Sequence, residues 1–111
     1  MESKRVWDQH ENGLHIGEKG SEGGEIIRDE DHILGARITL EENPTYIPNA
    51  SHAITFGIYG LMVHTCYFSS LQEANRNYDL IKREVELILN LPEGLELNKI
   101  SEYVERLVDR F

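Results

Sequence analysis

The sequence predicts an α+β domain: an antiparallel β-meander of about four strands, packed on one face by a long amphipathic helix and followed by a second, C-terminal helix. Apolar residues alternate with period two across much of residues 25–68. They recur every three to four residues from Leu71 to Leu91, and again from Leu97 to Phe111. Strands that precede helices, rather than interleaving with them, belong to an antiparallel sheet with its helices segregated to one side. A chain of 111 residues suffices for one such domain with one core.

Residues 1–24 are polar and carry Gly17, Gly20, Gly23 and Gly24, with Trp7, Leu14 and Ile16 as the only large apolar anchors. Such a composition does not repay its own ordering entropy, so this segment is expected to be a flexible or loosely docked arm before a domain at 25–111. His10 and His15 fall in it with no Cys or Asp at metal-ligand spacing, and read as solvated. The domain opens with a short β-rich run, Glu25 to Arg28. Asp29, Glu30, Asp31 and His32 then read as a polar hairpin turn, since they lack the mid-loop glycine and distal glutamate of a calcium loop. Leu34, Ala36, Ile38 and Leu40 alternate with Gly35, Arg37, Thr39 and Glu41, which marks a half-buried strand. Pro44 and Pro48 end it. The loop 43–51 that follows, with Tyr46 and Ile47, is a candidate lip of a binding site.

His52–Ile58 and Leu61–Phe68 read as a hairpin about Tyr59-Gly60, with Ile58 opposite Leu61. In that register Ile54, Phe56, Ile58, Leu61, Val63, Thr65 and Tyr67 form the core face. Ser51, Ala53, Thr55, Gly57, Met62, His64, Cys66 and Phe68 form a mixed second face. Thr55, Met62, His64 and Cys66, with Tyr46 from the loop, are the candidate ligand or partner residues. Ser70 and Glu73 make a capping box, which starts a helix presenting Leu71, Ala74, Tyr78, Ile81, Val85 and Ile88 as one stripe. Asp79–Arg83 and Lys82–Glu86 are expected i,i+4 pairs off that stripe. Pro92 and Gly94 stop the helix, and Leu97, Ile100, Val104, Leu107 and Phe111 stripe the next one.

The chemistry these residues offer is sparse. A net charge of −9 disfavours a nucleic-acid partner, because that affinity rests on Lys and Arg neutralising phosphates. No apolar run approaches the ~20 residues of a membrane span. The single cysteine, Cys66, suits the reducing cytoplasm. No phosphate-binding glycine loop is present, since no Lys-Ser/Thr follows the glycines. His64 and Cys66, two apart on a strand, stand ~7 Å apart, too far for an activated thiol without bending. A zinc site from His52, His64 and Cys66 fails in the expected register, which sends His52 to the other face; a slip of one residue would unite them. No catalytic residue, metal or cofactor is therefore expected. The expected function is that of a small acidic, non-enzymatic binding protein, a homodimer or an inhibitor or immunity-type protein that masks a basic protein. The alternative is ligand binding or weak catalysis in a pocket near His64, Cys66 and the 43–51 loop.

Overall fold

The computed structural model describes residues 6–111, so residues 1–5 of the expected arm lie outside the described residues. Five antiparallel strands form a meander in the order β1-β2-β3-β4-β5: β1 (Trp7–Gln9), β2 (Glu25–His32), β3 (Ala36–Glu42), β4 (His52–Ile58) and β5 (Met62–Phe68). Helix α1 (Leu71–Leu89) crosses one face of the sheet, and α2 (Leu97–Arg110) leans on α1. The architecture is the expected α+β one, with β1 as an added strand. No helix among the described residues is long and apolar enough to cross a membrane.

The core forms where the two periodicities meet. Ala36, Ile38 and Leu40 of β3 and Ile54, Phe56 and Ile58 of β4 point to the helix side. There they meet Ala74, Tyr78, Ile81, Val85 and Ile88. Leu71, the first residue of the expected stripe, stays exposed. The Ser70 half of the capping box forms: Ser70 is extended and its hydroxyl accepts the Glu73 N–H at 3.1 Å, while the Glu73 carboxylate accepts the Ser69 hydroxyl at 3.2 Å. Leu107 of α2 is buried in the same core, and the Phe111 ring stands edge-on to Phe56 at 6.4 Å.

Three local expectations are corrected. The acidic run Asp29–Asp31 is not a turn, because β2 continues through it to His32. Alternation explains this: Asp29 and Asp31 lie opposite Thr39 and Arg37 on the face away from the helices, while Glu30 lies opposite Ile38. The turn lies instead at Ile33 and Leu34, both exposed, and closes with Gly35 at φ +109°. The helix charges also bond differently. Lys82 donates to Glu30 at 2.7 Å, Glu86 meets His32 at 3.0 Å, and Asp79 lies 3.6 Å from Arg28, so β2 captures the groups expected to pair along α1.

The third correction concerns register. Ile58 pairs with Met62, not Leu61, because the hairpin loop takes Tyr59, Gly60 and Leu61. Moving the pairing by one residue exchanges every β5 side chain between faces. Met62, His64, Cys66 and Phe68 therefore face the helices, whereas Val63, Thr65 and Tyr67 face away.

Candidate functional site: the outer sheet face and the arm upon it

The face turned from the helices is polar, and the arm folds over part of it. The arm is tied by backbone bonds: Gly17 N–H donates to the Ile26 carbonyl at 2.8 Å, and Ile26 N–H to the Glu18 carbonyl at 2.9 Å. Glu41, almost fully buried, accepts the N–H groups of Glu22 at 3.2 Å and Gly24 at 3.0 Å. Burial pushes the Glu41 pKa up, against the pull of those N–H donors. Gly24 is required at its place, since a Cβ there would stand 2.4 Å from the Glu42 carbonyl oxygen. Tyr67 donates its hydroxyl to Glu22, and that bond raises the phenol pKa to about 12.

Between arm and sheet lies a cleft of about 680 Å³. Arg37, Thr39 and Thr55 line its floor, Tyr59 and Met62 one end, and His15 to Ser21 the arm side. Arg37 is held rigidly there. Its Nε and Nη2 donate to both oxygens of buried Asp29 at 2.9 Å, and Thr39 adds a hydroxyl at 3.0 Å. The carboxylate pushes the Arg37 pKa further above its ordinary range.

The structure divides the residues that the sequence singled out. Thr55 is on the outer face, its hydroxyl 2.9 Å from that of Thr65, and it lines the cleft together with Met62. His64 and Cys66 face the helices. The His64 ring stands edge-on to Phe56 at 5.6 Å, and its Nε2 is buried without a hydrogen-bond partner among the described residues. Cys66 is a core residue whose thiol donates to the Ile54 carbonyl at 3.7 Å, and burial pushes its pKa up to about 12. Tyr46 is exposed on the 43–51 loop and is not among the residues that line the cleft. The observed register does bring His52, His64 and Cys66 to one face. Even so, they do not cluster: His52 lies opposite Phe68 and bonds Ser51 Oγ at 2.7 Å through Nδ1.

Two groups escaped the sequence reading. The sequence places Asp29 in a turn and Arg37 on a solvated face, yet the two form an ion pair in which Asp29 is buried and Arg37 is partly exposed on the cleft floor. His10 and His15, read as solvated, are brought together with Glu11, so that ligand atoms of the three lie within 4.8 Å of one another. The missed signal is Glu11 itself, beside one histidine and four residues before the other. Comparison with family models, with curated proteins and with solved structures finds no match for this chain.

Proposed function

We propose that this chain is a small, acidic, non-enzymatic binding protein that acts as a homodimer, two copies joining β5 to β5 in one continuous antiparallel sheet. The character of the β5 edge, which no other strand among the described residues covers, carries this reading. On the β4 side, the Ser51 carbonyl accepts the Asn43 N–H at 2.8 Å and the Tyr59 N–H donates to the Gly35 carbonyl at 2.9 Å, so the odd-numbered residues of β4 bond toward β3. By the alternation of an antiparallel ladder, the even-numbered residues of β4 then bond to β5, and Val63, Thr65 and Tyr67 aim their N–H and C=O groups outward. Natural edges are blunted by charge, proline, bulges or brevity. The opposite edge, β1, is 3 residues long and carries Asp8. β5 is 7 residues long, Met-Val-His-Thr-Cys-Tyr-Phe, in unbroken register and free of Lys, Arg, Asp, Glu and Pro. In a chain of net charge −9 it is a place where two copies meet without like charges opposed.

Sedimentation equilibrium tests the reading. A concentration-dependent dimer is expected, converted by Val63→Lys to a folded monomer that melts as the wild type does in dilute solution. A wild-type chain that stays monomeric at several hundred micromolar, or a Val63→Lys dimer, overturns it. The acidic remainder of the surface supports the narrower reading of an inhibitor or immunity-type protein that holds a basic protein. Such a complex weakens steeply with salt. The buried, unpaired Cys66 supports a reducing compartment such as the cytoplasm.

The volume of the outer-face cleft favours a second reading, small-ligand binding, since ligand sites usually span ~300–1,000 Å³. The version placed beside His64 and Cys66 has less support, because a buried thiol with a raised pKa is a poor nucleophile. Rapid thiol labelling of the folded protein would restore it.

A further inference from the structure

We infer that His10, Glu11 and His15 form a binding site for one divalent transition-metal ion of the zinc type, with a fourth coordination position left open. The donors are His10 Nε2, His15 Nε2 and the Glu11 carboxylate. Glu11 already lies between the rings, 2.7 Å from His15 Nε2 and 4.0 Å from His10 Nε2. The rings stand nearly parallel with centroids 5.6 Å apart. Tetrahedral zinc with bonds of ~2.0–2.2 Å places its donor atoms about 3.4 Å apart, so small side-chain rotations convert the present cluster into a ligand set.

The outer partners argue for a metal more strongly than the donors do. A metal-binding histidine commonly gives its second ring nitrogen to a carboxylate, which sets the tautomer and aims the free nitrogen at the ion. Both histidines here have that arrangement: His10 Nδ1 meets Asp31 at 2.7 Å and His15 Nδ1 meets Glu18 at 3.0 Å. The backbone supports it, because Glu11, Asn12 and Gly13 all take positive φ, at 46°, 58° and 80°. That left-handed turn folds His15 back beside His10. Two imidazoles and one carboxylate suit zinc, nickel or cobalt over calcium or magnesium, which take all-oxygen sets. Three protein donors leave a position for water or for a donor atom of a bound molecule, and His15 and Glu18 also line the cleft above Arg37.

Calorimetric titration of zinc chloride into the tag-free chain at pH 7.5 tests this, with cobalt absorption to report geometry. One ion per chain and an intense tetrahedral cobalt spectrum are expected. His10→Ala and His15→Ala each lower affinity on the order of 100-fold or more, and Asp31→Asn on the order of 10-fold as a positioning residue. Circular dichroism melts confirm that each variant is folded. A metal takes the deprotonated imidazole, so affinity also rises from pH 6 to pH 8 with proton release. No saturable binding by the folded wild type overturns the site. So does zinc binding that both histidine variants retain, which would place the ion elsewhere.

Discussion

The two faces of the sheet are built from different materials. The helix side is apolar: Ile38, Leu40, Ile54, Phe56, Tyr78 and Ile81 are at most 1% exposed. Of its polar members, Tyr78 bonds the Ile38 carbonyl at 3.4 Å and lies under the Arg28 guanidinium, and His32 bonds Glu86 at 3.0 Å. The arm side is ionic: Asp29 against Arg37, Glu41 against backbone N–H groups, and a cleft where the cover does not close. Non-directional burial fills a face and leaves no room. Directional bonds hold a cover at a few points and leave space between them. Close packing is concentrated on the first face and open space on the second.

Substitutions separate the two. Phe56→Ala is expected to destabilise by about 3–5 kcal/mol, the usual cost of a core aromatic cavity, read as a shift in the urea midpoint. Arg37→Ala leaves Asp29 charged and buried without its partner. A loss of about 3 kcal/mol is expected, the lower end for such pairs because part of Arg37 reaches water. Replacing Asp29 and Arg37 together by apolar residues recovers most of that loss. If the single and double variants melt alike, the ionic description of this face is wrong.

Smaller effects probe the arm alone. Glu41→Gln turns an amide N–H₂ toward N–H donors, and a loss of about 1 kcal/mol is expected, with faster exchange of the Glu22 and Gly24 amides. The cost is modest because burial already opposes the charged form. His15 offers a pH test without substitution. Its pKa lies above the ordinary 6.5 because it bonds Glu18 and Glu11. In metal-free buffer its bracing of the 11–18 turn within the arm is complete below pH 6.5 and is lost as pH rises through the raised value. Exchange of the amides around residues 14–18 therefore quickens with pH beyond the intrinsic trend. Added zinc reverses that dependence if the inferred site exists.

The sequence made the helix side legible and the arm side largely illegible, for a physical reason. Periodicity reports which residues seek an apolar neighbour, so Ala36–Leu40, Ile54–Ile58 and the α1 stripe were readable without a structure. It says nothing about whether Asp29 faces water or Arg37. β5 failed for a related reason. Both of its alternating sets contain apolar residues, so hydrophobic pattern did not decide between pairing Ile58 with Leu61 or with Met62. A loop longer by Leu61 then reversed the strand. The histidine cluster was hidden because a left-handed turn at Glu11 and Asn12 is unusual for residues other than glycine, and no motif announces it. Of the candidate residues, Thr55 opens on the cleft and Met62 borders one end of it while packing against the core, whereas His64 and Cys66 belong to the core side.

The β5 edge carries the functional reading, and amide hydrogen exchange measured residue by residue across a range of protein concentrations tests it most directly. If two copies pair through β5, the Val63, Thr65 and Tyr67 amides exchange fast in dilute solution. They become protected as concentration rises, while those of His64 and Cys66 are protected throughout. Fast exchange at Val63, Thr65 and Tyr67 at every concentration would contradict the account, because the edge would then remain open to water.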